Sequence, residues 1–342
     1  MRRIIIDRPG SYGALHLVEE PDPRPGPGEV LVAVEACGVN YADSIIRMGL
    51  YASARQLHGY PITPGFEVAG RIAALGAGVG GFRVGDAVIG LTLFGGYASH
   101  CVLAADSVFP LPEGLGMLEG ATLPTVFLTA WFLVHELVHP HAGDCWLVHS
   151  AAGGVGSALV QLGRLAGCRV IGVVGGAHKV AACRVQGADA VIDKSAQELW
   201  REAERLAPGG YQAVFDANGV TTLRDSWNHL APAGKLAIYG FHGMLPRTGR
   251  IRWPRLAWYW LRTPRFNPLQ MTQLNRSVIA ANLSFLQQQA PRLREGMQWL
   301  LARLAHGELR PLPVETFPLA RAADAQRRIE SGQTIGKLAL LP

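Results

Sequence analysis

The stretch LVHSAAGGVGSALVQLGRLAG, residues 147–167, constrains the fold more than any other part of the chain. Glycines punctuate turns everywhere, so a glycine cluster alone says little. Its setting says more. An apolar run, CWLVHS (Cys145–Ser150), leads into the turn, and an amphipathic helical pattern leads out. That order suits a dinucleotide site. Glycines let backbone N–H groups approach a pyrophosphate, and the helix N-terminus adds partial positive charge. The turn AAGGVG, Ala151 to Gly156, is therefore read as a nucleotide cradle rather than as a plain tight turn.

The surrounding pattern agrees. From about Leu118 to Arg310, apolar strand-like runs alternate with helical stretches: RVIGVV, AVID, AVFDA and KLAIYG follow the first strand in turn. Such alternation predicts a doubly wound parallel sheet. The first 120 or so residues instead show short alternating segments, such as GEVLVAVEACGV, separated by Pro- and Gly-rich joints. These predict a partly open barrel or sandwich. After Gly307 the chain returns to strand-like PVETFPL and KLALLP, expected to pack with the first domain. The expected domains are 1–123 with 308–342, and 124–307.

Which dinucleotide is bound follows from the second strand. NAD sites place a carboxylate at its end to hold the ribose hydroxyls. Here the end reads VVGGAHK, with no acid, and Lys179 follows; Lys194 follows the third strand in VIDK. Ammonium groups pair with a 2′-phosphate that a carboxylate would repel. NADPH is the expected cofactor.

Other chemistry is bounded by composition. The five cysteines are scattered, odd in number and without a C-x-x-C pair, which fits a reducing cytoplasm and excludes a four-cysteine zinc lobe. His135, His139 and His141 lie close in sequence but read as a helix end, not a metal cluster. No apolar run is long enough to span a bilayer, and the apolar run near the N-terminus is too short for a signal peptide. The net charge is +6, yet residues 226–294 contain no Asp or Glu and carry +10. Within them RTGRIRWPRLAWYWLRTPRF, residues 247–266, holds six Arg and three Trp. Three readings compete for it: a lid on an apolar acceptor pocket with aromatics inside, a peripheral membrane contact, or a nucleic-acid surface. Its place among the cofactor strands favours the lid. No recognition motif accompanies the charge, so nucleic acid is not expected.

Several segments together resemble the medium-chain dehydrogenase/reductase superfamily, in its zinc-free quinone oxidoreductase branch. They are VEACGVNYADSIIRMGLY, PITPGFEVAGRI, RVGDAVIGL, LVHSAAGGVG and the terminal IGKLALLP. LAPAGKLAIYGF and MTQLNRSVIAANLSFL resemble the vesicle amine transport protein homologues within that branch. The resemblance implies an N-terminal GroES-like catalytic domain and a Rossmann domain. Zinc members use a Cys and a His at the positions that Asn40 and Phe66 occupy here, so no metal is expected. Family roles carried onto this chain put Asn40, Thr129, Gly153, Gly154, Val155, Gly175, Lys179, Lys194, Asn218 and Phe241 at the cofactor. At the position of Lys194 quinone reductases commonly carry a Tyr.

A hydride donor without a Lewis acid suits an already electrophilic acceptor, a quinone or an activated C=C. Asn40 and Tyr51 are the expected catalytic residues, as oxyanion donor and proton source; a wall role for Tyr51, with solvent as proton source, stays open. Asp43 reads as a helix cap. Alternatives are a free-standing enoyl-thioester reductase and a non-catalytic NADPH-binding adaptor at a membrane surface. The branch implies a homodimer, with RSVIAAN (Arg276–Asn282) as the edge strand that pairs.

Overall fold

The computed structural model describes residues 1–245 and 251–342. They form two compact units. The first holds Met1–Val126 and Ser284–Pro342; the second holds 127–245 and Ile251–Leu283. The sequence divided the chain at 123/124 and 307/308. The second division lies elsewhere because helix Ala290–Ala305 belongs to the first unit, where Arg294 lies over the Phe109 ring at 5.5 Å.

The first unit is built on a seven-stranded sheet. Val314–Pro318, Lys337–Leu341, Glu29–Val39, Glu67–Leu75, Ala87–Leu91 and Val108–Pro110 follow one another, and His100–Ala104 also pairs with Glu29–Val39. The C-terminal strand joins it antiparallel, Leu338 opposite Val39 and Leu340 opposite Cys37. Alternation along Glu29–Val39 sends Val30, Val32 and Val34 into one core with Val68, Ile72 and Leu340. Cys37 lies in that core, and burial pushes its thiol up.

The second unit holds six parallel strands in the order Ala190–Asp193, Arg169–Val174, Cys145–His149, Tyr211–Asp216, Leu230–Ile238 and Ser277–Ala280. Numbered along the chain this is 3-2-1-4-5-6, the doubly wound arrangement whose strand order reverses between the first and fourth strands. Trp146, Leu147, Val214 and Phe215 are buried on these two strands, as a sheet covered by helices on both faces requires. Helix Gly154–Leu165 crosses so close that a Cβ on Gly163 would lie 2.7 Å from the Trp146 ring. Ser277–Ala280 lies at one edge of this sheet and Ala190–Asp193 at the other.

Candidate functional site

In the second unit the glycine turn lies at the point of strand reversal, where open α/β sheets bind ligands. His149 ends the first strand, Ser150 takes φ +55°, and Gly153 caps the helix that Gly154 begins. Gly156 is dictated by space: an added Cβ would stand 2.3 Å from the Ser150 carbonyl oxygen and 2.8 Å from Ala151 Cα. The N–H groups of that first turn have no carbonyl within the helix to bond. Val155 is half-buried there.

Across the reversal point, the Asp216 carboxylate shapes the loop after its own strand. Oδ1 accepts the backbone N–H of Asn218 at 2.8 Å and of Gly219 at 3.2 Å. Oδ2 accepts the hydroxyls of Thr222 at 2.6 Å and Ser226 at 2.8 Å. Ser226 in turn meets His149 Nε2 at 3.1 Å. Because Ser226 donates to Asp216, it can only accept from His149, which places the imidazole proton on Nε2. Burial pushes the His149 pKa down against the pull of Asp216, with Lys194 adding to the fall. The fixed loop presents Asn218. Its Oδ1 accepts from Ser150 Oγ at 3.4 Å, while its buried Nδ2 has no partner among the described residues. An orphaned buried donor beside the glycine turn is what a polar ligand atom would satisfy. The Phe241 loop is laced to the same segment by His242 N to Ala217 O at 3.0 Å and Gly243 N to Asn218 O at 2.9 Å. The half-exposed Phe241 ring lies over Gly219.

Beyond the second strand, Lys179 ends the turn Ala177–Lys179 and is buried. Lys194 is exposed after the third strand, and a Cβ on Gly175 would lie 3.7 Å from its Cε, so these two come together. The neighbouring Asp193 carboxylate turns to its own loop: Oδ1 accepts from Ser195 N and Oγ, which holds its pKa below the carboxylate norm. Thr129 is half-buried on helix Pro124–Trp131.

In the first unit, strand Glu29–Val39 delivers Asn40 to the start of helix Tyr41–Arg47. Asp43 caps that helix through Oδ2, which accepts Asn40 N–H at 2.8 Å. It also receives Tyr97 OH at 3.0 Å and Gly65 N–H at 2.9 Å, and burial still pushes its carboxyl up to about 7. The Asn40 carboxamide lies in a buried charge cluster. Lys337 Nζ donates to Val39 O at 2.9 Å, Asn40 Oδ1 at 2.6 Å and Glu67 Oε1 at 2.8 Å. Asn40 Nδ2 donates to Glu67 Oε1 at 2.8 Å, and Thr125 N–H to Glu67 Oε2 at 2.7 Å. Gly38 makes room: a Cβ there would lie 2.3 Å from Glu67 Oε1. These residues do not suit zinc. Phe66 offers no ligand, Asn40 is a poor one, and the one carboxylate is already paired with an ammonium. Among the described residues no three His, Cys, Asp or Glu side chains group as a metal site. His139 and His141 are exposed and His135 half-buried at the helix end.

Tyr51 packs edge-on to Phe66, with centroids 5.9 Å apart, and its hydroxyl lies 2.6 Å from Ser284 Oγ. Lys337, Ser284 and the His149–Ser226–Asp216 chain were not singled out from the sequence. Only Lys337 left a signal there, a lysine flush against an apolar terminal strand.

The aromatic segment corrects an expectation. Arg247 and Arg250 lie outside the described residues. Helix Trp253–Arg262 turns Leu256 and Tyr259 inward, while Trp253, Trp258, Trp260 and Leu261 are 65%, 57%, 67% and 65% exposed. A lid with its aromatics inside would bury them. At 3.6 residues per turn, WYW cannot all share the inward face, and Tyr259 takes it.

A GroES-like unit and a doubly wound unit with this turn define a two-domain NAD(P)-binding oxidoreductase. A model of the alcohol dehydrogenase GroES-like domain matches residues 26–135, and one described as zinc-binding dehydrogenase matches 186–340. The human synaptic vesicle membrane protein VAT-1 homolog is 31% identical over 345 residues, covering 100% of this chain and 86% of that protein. An Escherichia coli quinone oxidoreductase complexed with NADPH superposes with a TM-score of 0.86 at 26% identity, covering 100% of both chains. The CurK enoyl reductase gives 0.84 at 26% identity, covering 99% of this chain and 98% of that one. The chain belongs to the medium-chain dehydrogenase/reductase superfamily, close to the VAT-1 homologues and quinone oxidoreductases.

Proposed function

We propose that this protein is an NADPH-dependent, zinc-independent reductase of quinones or activated C=C bonds in bulky apolar acceptors. The observation that carries the reading is the Lys337–Glu67–Asn40 cluster, which fills with an internal ion pair the region where zinc relatives hold their metal. A site without a Lewis acid to polarise a simple ketone favours an acceptor that is electrophilic already. The dinucleotide supplies the hydride. Asn40 and Tyr51 supply a hydrogen bond to the developing oxyanion and a proton. Gly153, Gly154 and Val155 line the pyrophosphate; Gly175, Lys179 and Lys194 hold the 2′-phosphate; Asn218 and Phe241 border the nicotinamide half, and Thr129 also contacts the cofactor. NADPH consumption measured against quinones, enones, enoyl thioesters and simple ketones tests it. Turnover with the first two classes and none with ketones is expected. A preference for enoyl thioesters favours the alternative reductase reading, which the similarity to CurK and the hydrogen-bonded Tyr51 support.

A second reading rests on the outward tryptophans. A helix whose solvent side is Trp253, Trp258 and Leu261 beside Arg255 and Arg262, in a stretch without carboxylates, has the composition of an anionic membrane surface contact. Among the described residues no helix is long and apolar enough to cross a membrane. Co-sedimentation with anionic but not neutral vesicles, weakened by salt, is the expected result. Such binding without turnover on any acceptor would support an adaptor. The edge strand Ser277–Ala280 is the proposed seam of a homodimer, which sedimentation equilibrium checks.

A further inference from the structure

We infer that Lys337 is a positioning residue, which together with Glu67 locks the Asn40 carboxamide in one orientation and thereby aims its remaining N–H. This rests on the reductase reading, in which Asn40 meets the oxyanion. An asparagine amide has two nearly isosteric ends, so shape alone does not choose between its two flips. Charge does so here. The ammonium of Lys337 stands 2.6 Å from Oδ1, and the carboxylate of Glu67 stands 2.8 Å from Nδ2. A flipped amide would set N–H against ammonium and oxygen against carboxylate, two repulsive contacts in a site where Lys337 and Glu67 are 3% and 0% exposed.

The remaining polar capacity is committed as well. The three hydrogen-bond donors of the ammonium go to Val39 O, Asn40 Oδ1 and Glu67 Oε1. The second Glu67 oxygen takes Thr125 N–H. One Asn40 N–H is bonded to Glu67, so the other is the hydrogen that the lock directs. A pre-aimed donor gives its stabilisation without reorganising as charge develops, and this is what a mobile amide would lack. In this cluster the ion pair does not touch the acceptor; it acts through Asn40.

Removing one member of a buried ion pair leaves an uncompensated charge, so paired substitutions are the test. Asn40→Asp with Glu67→Gln exchanges acceptor and donor: the relocated carboxylate faces Lys337, and the new amide at position 67 donates to it. The fold is expected to hold, while kcat falls about 100-fold because an oxygen replaces the aimed N–H. Lys337→Met with Glu67→Gln keeps the site neutral but removes the charge bias, and a kcat loss of about tenfold with unchanged KM for NADPH is expected. Wild-type kcat in either double variant, with the fold retained, overturns the inference. Selective 15N-asparagine labelling reads the amide without turnover. Slow exchange of the Asn40 side-chain hydrogens is expected in the wild type, and fast exchange overturns the lock even if the variants fail to fold. Should the wild type consume no NADPH with any acceptor, the reductase reading falls, and the labelled amide alone decides the orientation.

Discussion

The Tyr51 hydroxyl and Ser284 Oγ lie 2.6 Å apart, joining positions 233 residues distant in the chain. A phenol held by a neighbouring hydroxyl is positioned and can be reprotonated, which a wall residue would not need. A carbanion formed by reduction of a C=C bond requires a proton at carbon, whereas a reduced quinone takes its protons from water. Tyr51→Phe should therefore lower kcat about 100-fold with an enone and less than about threefold with a quinone. Steady-state rates with the two acceptor classes check this; equal losses with both would mean that Tyr51 only shapes the wall.

Lys179 and Lys194 follow successive strands; the first ends at Val174 without a carboxylate, and the Asp193 carboxylate that ends the second is taken up by Ser195 of its own loop. Lys179→Ala and Lys194→Ala should each weaken NADPH by about 10- to 100-fold, the range of one charge-assisted hydrogen bond, and leave NADH within about twofold. Calorimetric titration with both dinucleotides measures the ratio. Weakening of both cofactors alike would remove the 2′-phosphate role.

The buried chain His149–Ser226–Asp216 gives stability a pH dependence whose sign follows from burial. Burial depresses the His149 pKa in the fold relative to the unfolded chain, so the unfolded imidazole takes up a proton first as pH falls. Stability is then full above about 6.5 and declines as pH drops below it, towards the folded pKa. Thermal midpoints from neutral to mildly acid pH should fall in the wild type and fall less in His149→Gln. Parallel curves for the two proteins would show that the acid decline arises elsewhere.

Much of this architecture is legible in the sequence because its cues are local. The strand–glycine–helix stretch from Cys145 to Leu165 carries its own periodicity and turn chemistry, and the strand that ends at Val174 shows its missing carboxylate directly. What the sequence hides is partnership over distance. Lys337 reaches Glu67 across 270 residues, and Ser284 reaches Tyr51 across 233. No repeat or period encodes such pairs; only the sheet, which sets Leu338 opposite Val39, brings Lys337 to Asn40. The tryptophan helix failed for a different reason. Three consecutive aromatics span most of a helical turn, so their pattern names no face, and exposure is settled by what the neighbouring elements leave uncovered.

The sharpest test of the nucleotide cradle is steric. In Gly156→Ala the new methyl carbon would lie 2.3 Å from the Ser150 carbonyl oxygen and 2.8 Å from Ala151 Cα, both backbone atoms that no rotamer change can move aside. The helix start must then retreat from the turn. Retreat carries Gly153 and Gly154 with it and withdraws the N–H groups of the first helical turn from the position a pyrophosphate occupies. Overpacking of this kind destabilises by about 1–3 kcal/mol, which an α/β chain of this size tolerates, so a folded variant is expected. Its thermal midpoint should drop by several degrees, and its NADPH affinity should fall by at least about tenfold, with NADH affected equally because the pyrophosphate is common to both. Thermal unfolding and dinucleotide titration on the same preparation separate the two effects. A variant that loses stability but binds both cofactors as the wild type does would show that Gly156 serves helix packing alone.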